Sequence, residues 1–125
     1  MLVTTNACDL DLSHGPGWLF LRLRNFDPDS PEADSLADRI WSLLDNHLVY
    51  RVVLEMDEVE LLRSILIAQL IMLQRRVNAH QGMVHLAGLS PHNREVLATC
   101  RLDDRLPAFQ NRIEAVMGVD VAKPR

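Results

Sequence analysis

Three acidic residues, Asp57, Glu58 and Glu60, lie within four consecutive positions of the sequence. Carboxylates this close together can act as a general acid and a general base. Such a site also needs an orienting partner, and the sequence suggests no nucleophile, base and orienting group around them. A run of acidic residues is more often a solvated loop. We therefore expect a protein without enzymatic activity.

Ser64 is the second residue that could carry chemistry, because the apolar run 65–73 follows it directly. A serine there is typical of a helix N-cap, whose hydroxyl accepts a hydrogen bond from a free backbone N–H. The same position suits a phosphate, which those N–H groups and the helix dipole would stabilise. We therefore predict Ser64 as an N-cap and as a candidate phosphorylation site.

The helix predicted over 65–80 is apolar on almost every side of its first two turns. A helix packed on one face of a sheet needs only about half of its positions to be apolar. Either a neighbouring element of the same chain covers the remainder, or part of it is exposed as a partner site. We expect some of the surface formed by Ile65, Leu66 and the N-terminal end of their helix to be exposed in the monomer and covered by a partner or a second copy.

Hydrophobic periodicity predicts three strong strands and four helices. The strands are 18–24, 48–56 and 83–89, and the helices are 31–47, 65–80, 91–99 and 106–117. Ser30 before Pro31, and Ser90 before Pro91, predict N-caps followed by proline at the first helical position. Gly82 is predicted to end the helix 65–80 in the left-handed conformation.

Strands and helices alternate, which predicts an α/β fold with right-handed crossovers. We expect one domain over 1–125 with a mixed, mostly parallel sheet of four or five strands and about four helices. Residues 1–14 are expected to be irregular or an edge strand, and 119–125 a frayed tail. The predicted core comprises Leu21, Leu36, Ile40, Val53, Leu70, Val77, Leu86 and Leu97.

The composition narrows the classes of function. A net charge of −4 at pH 7 disfavours nucleic acid as a partner. No apolar run approaches the roughly 20 residues of a membrane span, so no membrane partner is expected. Two cysteines with no paired spacing, and histidines without metal spacing, predict a cytoplasmic protein with no metal site. No glycine-rich loop follows a strand, so no cofactor is expected.

The stretch 53–105 resembles a STAS domain, the module shared by sulphate transporters and bacterial anti-sigma-factor antagonists. In that family a strand of the type Val-Leu-Asp-Leu leads through a short loop to Asp-Ser-Ser-Gly, which opens a helix. Here the strand is Val-Leu-Glu-Met at 53–56, and Arg63, Ser64, Ile65 and Leu66 stand at the Asp-Ser-Ser-Gly positions. Gln-Gly at 81–82, the next strand and Ser-Pro at 90–91 also match.

The resemblance implies a protein–protein interaction module that docks a regulatory partner through the start of the helix 65–80. An anti-sigma factor or a Ser/Thr kinase is the partner implied, and a homodimer is a further option. Ser64 stands at the serine that partner kinases phosphorylate, while the changes around it also suit a scaffold that has lost the switch. The expected partner-binding residues are Asp57, Glu58, Arg63, Ser64, Ile65 and Leu66.

An alternative hypothesis is a small-ligand or nucleotide-binding domain. It would use Asp57, Arg63 and the N-terminal end of the helix 65–80. The absence of a glycine-rich loop favours the interaction module over this alternative.

Overall fold

The computed structural model describes residues 1–118, and the tail predicted over 119–125 lies outside the described residues. Within the described part, six strands and four α-helices follow one another, with one 3-10 turn at Ala33–Ser35. The strands are β1 (Leu2–Thr4), β2 (Asp9–Gly15), β3 (Trp18–Arg24), β4 (Arg51–Glu55), β5 (Met83–Ala87) and β6 (Ala108–Phe109). The helices are α1 (Leu36–His47), α2 (Ser64–Ala79), α3 (Pro91–Thr99) and α4 (Arg112–Met117).

The strands form one sheet in chain order, from β1 to β6. β1, β2 and β3 pair antiparallel, whereas β3, β4, β5 and β6 pair parallel. Parallel neighbours need a crossover connection, which α1 and α2 provide on either side of β4 and α3 provides before β6. The mixed, mostly parallel α/β fold with four helices is confirmed, although the sheet has six strands instead of four or five.

Two strands beyond the three strong ones, β1 and β2, come from the N-terminal segment. Leu10 and Leu12 alternate with aspartates along β2 and are buried, which is the pattern of a strand with one covered face. β2 turns into β3 through Pro16 and Gly17, and Gly17 has the positive φ of 77° that favours glycine in such a turn.

The helix predicted over 31–47 begins later than expected. The Ser30 hydroxyl accepts a hydrogen bond from the Glu32 N–H at 3.2 Å, and the Ala33 N–H donates to the Ser30 carbonyl at 3.0 Å. These local bonds form a turn, so the chain passes through the 3-10 segment before α1 starts at Leu36. Ser30 is therefore not the N-cap of this helix.

The helix predicted over 106–117 is wrong in its first half. The Leu86 N–H donates to the Pro107 carbonyl at 2.8 Å, and the Gly88 N–H donates to the Phe109 carbonyl at 3.0 Å. These long-range bonds make β6 an edge strand beside β5, and only Arg112–Met117 is helical. Periodicity within one segment cannot reveal such pairing, because each residue of β6 pairs with one that lies 22 positions earlier in the chain.

Gly82 is not the left-handed residue after α2, because Gln81 takes that conformation with a φ of 59°. The glycine is required for close approach instead. A Cβ atom on Gly82 would lie 1.9 Å from the carbonyl oxygen of Tyr50, which immediately precedes β4. The helix end was thus predicted at nearly the right place but for the wrong conformational reason.

The core lies on both faces of the sheet. The larger cluster joins β2–β5 to α1, α2 and α3, whereas the smaller one joins Trp18, Phe20 and Val53 to Ala87, Phe109 and Ala115. All eight residues predicted to be core are buried, so that prediction is confirmed. Seven belong to the larger cluster, while Val53 belongs to the smaller one, as expected for a central strand covered on both faces.

Candidate functional site

The candidate site is the loop over 56–63, which leaves the carboxyl end of β4 and enters α2. Met56, Val59 and Leu62 are buried and fix the loop to the larger core cluster. Their neighbours Asp57, Glu58, Glu60, Leu61 and Arg63 are exposed. The loop therefore presents three carboxylates, one guanidinium and one leucine on an anchored backbone.

A single buried side chain from α3 binds the middle of this loop. The Asn93 amide oxygen accepts a hydrogen bond from the Leu62 N–H at 3.0 Å. Its amide nitrogen donates to the carbonyl oxygens of Val59 at 3.0 Å and Glu60 at 3.3 Å. Asn93 is fully buried, so these hydrogen bonds are shielded from solvent. Asn93 was not among the predicted site residues, although an asparagine at the third position of α3, where a capping box has Glu or Gln, is a signal in the sequence.

The acidic end of the loop is held by arginines from β3. Arg22 Nη2 lies 3.1 Å from Glu55 Oε2 and 3.9 Å from Asp57 Oδ2. Arg24 Nε lies 2.8 Å from Glu58 Oε2. The nearby Glu55 carboxylate raises the pKa of the Arg22 guanidinium above its ordinary value.

Glu55 also connects the loop to the C-terminal helix. Its carboxylate, buried at the end of β4, accepts hydrogen bonds from the Arg112 guanidinium of α4 as well as from Arg22. Two cations around one buried carboxylate compensate for its loss of hydration. Asp57 and Glu58 were expected to face a partner, and the structure gives both of them arginine neighbours within their own domain.

The start of α2 differs from the prediction at Ser64. Arg63 is the N-cap residue, with φ −73° and ψ 153°, and its carbonyl accepts the Ile67 N–H at 3.0 Å. Ser64 is the first helical residue, and the helix has no side-chain hydrogen bond at its cap. Ser64 is therefore not an N-cap. It is exposed beside the first free N–H groups of α2.

The two apolar residues predicted to be exposed have separate positions. Leu66 is fully buried in the larger core cluster, so it is not part of the surface that remains exposed here. Ile65, one position earlier and 100° around the helix, is half-buried. Leu66 must turn inward because it lies on the same helical face as Leu70, Leu73 and Val77, all of which are buried.

An apolar stripe nevertheless remains on the outer side of α2. Met72 is 50% exposed and Ala68 is exposed, while Leu61 at the end of the preceding loop is 48% exposed. Ile65, Ala68 and Met72 are spaced by three and four residues, which places them on one side of the helix. We call Leu61, Ile65, Ala68 and Met72 the outer stripe.

The stripe begins beside a cleft of about 250 Å³. Glu58 and Glu60 line it together with Arg63, so carboxylates outnumber cations there. This charge disfavours phosphate-bearing ligands such as nucleotides, and Asp57 does not line the cleft, whereas Arg63 does. Among residues 1–118, no group of three or more His, Cys, Asp or Glu side chains is arranged to hold a metal ion.

A comparison with protein-family models matches residues 18–115 to the STAS domain. Because the match covers most of the chain, this protein belongs to the STAS-domain family. No curated protein matches the sequence. In the described residues, no helix combines the length and apolar character that crossing a membrane requires.

Solved structures show the same fold at low sequence identity. An anti-sigma factor antagonist from Mycobacterium paratuberculosis has a TM-score of 0.73 and 16% identity, covering 93% of this chain and 97% of that one. A chain of the stressosome, a signal integration and transduction hub, has a TM-score of 0.71 and 14% identity, with coverages of 86% and 94%. The anti-sigma factor antagonist SpoIIAA in its unphosphorylated form has a TM-score of 0.67 and 17% identity, with coverages of 88% and 97%.

Proposed function

We propose that this protein is a non-enzymatic interaction module that docks a regulatory protein on the outer stripe and the adjoining loop. The partner class is an anti-sigma factor or Ser/Thr kinase, and the setting is the cytoplasm. The observation that supports this proposal most is the apolar outer stripe at the start of α2, bordered by Glu58, Glu60 and Arg63. An apolar centre with a charged rim is the usual anatomy of a protein interface.

The neighbours in fold agree with this proposal, since they include anti-sigma factor antagonists and a stressosome chain. Ser64 adds a candidate control point next to the stripe. A phosphate on Ser64 would be stabilised by the helix dipole and by Arg63, and it would put roughly two negative charges on the docking surface. Binding would then require their desolvation, so phosphorylation would weaken docking.

A matched pair of methionines tests the proposed surface. Met72 in the outer stripe and Met83 in β5 have similar exposures of 50% and 46%, so Met72→Glu and Met83→Glu each add a charge at an equally exposed position. Calorimetric titration with each anti-sigma factor kinase of the same organism should show at least about tenfold weaker binding for Met72→Glu. Met83→Glu should bind like wild type. Equal losses for both variants, or no binding by wild type, would exclude this surface as the docking site.

A further inference from the structure

The loop over 56–63 has little structure of its own. Within the described chain, its internal backbone hydrogen bonds join the Val59 N–H to the Met56 carbonyl and the Arg63 N–H to the Leu61 carbonyl. It contains neither glycine nor proline, the residues that most often fix a turn. Something outside the loop must select one conformation, since fixing each residue costs about 1–2 kcal/mol of entropy.

Asn93 supplies that selection, because its side chain makes more hydrogen bonds to the loop than the loop makes internally. The amide bonds one N–H and two carbonyl groups over 59–62. Its own backbone N–H donates to the Ser90 hydroxyl at 3.1 Å, which fixes the first turn of α3. The amide thus projects from a capped, rigid helix end, and its donors and acceptor can match the loop in only one orientation.

The burial of this amide argues against a simple packing role. A leucine at position 93 would fill a similar volume and contribute apolar burial. An asparagine instead has to be desolvated, and this is compensated only while all its hydrogen bonds are formed. A side chain of this kind penalises every loop conformation except the one that it matches.

We propose that Asn93 is the positioning residue of the docking loop, holding residues 59–62 so that Glu60, Leu61 and Arg63 face outward before a partner arrives. The proposal rests on the proposed function, because the loop borders the outer stripe. Preorganisation of this kind reduces the entropy lost on binding, so it acts on affinity without contact between Asn93 and the partner. Specificity for the partner would then depend on α3 as well as on α2.

Hydrogen exchange of the free protein tests the positioning separately from any binding. In Asn93→Leu the amide hydrogen bonds are lost at similar volume, whereas Asn93→Asp keeps an acceptor for Leu62 but sets carboxylate oxygens against two carbonyls. Both variants should exchange the amides of Val59, Leu62 and Arg63 at least about tenfold faster than wild type. The amides of β3 and β4 should keep the wild-type pattern after correction for global stability.

Leu97→Val on the same helix is the matched control, since it disturbs the buried face of α3 without removing a hydrogen bond to the loop. It should change exchange in the loop no more than elsewhere. If Asn93→Leu does not fold, Asn93→Asp decides the question alone. Loop exchange that is unchanged in the asparagine variants, or accelerated equally throughout the chain, would overturn the positioning role. Faster loop exchange in a protein that binds no partner would sustain it and would count only against the proposed function.

Discussion

The helices α2 and α3 both begin beside a serine, and the two serines have different roles. Ser90 precedes α3 and its hydroxyl accepts the Asn93 N–H, so that end is closed and rigid. Ser64 lies inside the first turn of α2 with no cap hydrogen bond from any side chain. Pro91 restricts the backbone at the start of α3, whereas Arg63 and Ile65 impose no such restriction at the start of α2. One helix start is therefore built for stability, while the other is left open beside an exposed apolar stripe.

The largest expected effect on stability is a difference between the inner and the outer side of the start of α2. Leu66→Ala should lower the free energy of unfolding by about 2–5 kcal/mol, because Leu66 is fully buried. Ile65→Ala should cost less than half as much, since Ile65 is half-buried. Urea denaturation measures both values. Similar losses for the two variants would mean that the first turn of α2 is rotated from the position described.

A third helix start, that of α1, is capped from a distance. The Gln69 amide oxygen on α2 accepts a hydrogen bond from the Ala37 N–H of α1 at 2.8 Å, and Gln69 is buried. Gln69→Leu should lower the free energy of unfolding by about 1–3 kcal/mol, because it leaves a buried N–H without a partner. Thermal unfolding against wild type measures this loss. A stabilised variant would show that the hydrogen bond contributes less than added apolar burial.

The two serines themselves should differ when each is removed. Ser90→Ala should cost about 1 kcal/mol of stability through loss of the N-cap hydrogen bond. Ser64→Ala should stay within about 0.5 kcal/mol of wild type, as exposed substitutions away from special features do. Chemical denaturation of both variants under one condition provides the comparison. A loss at Ser64 as large as that at Ser90 would restore Ser64 as a cap.

The smallest effect concerns charge at the open start. Ser64→Asp should stabilise the protein by about 0.3–1 kcal/mol at low ionic strength, because a carboxylate in the first turn interacts favourably with the helix dipole and with Arg63. Screening at about 1 M salt should remove most of this gain. Stability curves at the two salt concentrations test it, and a salt-independent change would point to a cause other than electrostatics.

Much of the fold could be predicted from local patterns, because β3, α2, β5 and α3 each carry a strong period and clear flanking residues. The predictions failed where a distant partner decides the outcome. Residues 108–109 pair with β5 instead of forming part of a helix. Gly82 is required because the backbone of Tyr50 lies too close to leave room for a side chain. Neither contact leaves a signal within its own segment.

In the candidate site, too, local patterns were predicted and contacts between distant residues were not. The family resemblance located the loop and the start of α2, and periodicity indicated that the helix has more apolar surface than one core face needs. It did not show which side of α2 faces out, so Leu66 was misplaced. Asn93 and the Glu55–Arg112 pair were missed, because each joins residues more than 30 positions apart.

The most direct test of the docking account is an exchange footprint of the complex with an anti-sigma factor kinase of the same organism. Backbone amides should be compared between the free and the bound protein at saturating partner. We expect slower exchange over 60–72, in the loop and the first turns of α2, with unchanged exchange in β5 and α4. Protection confined to β5 or α4, with 60–72 unaffected, would contradict it.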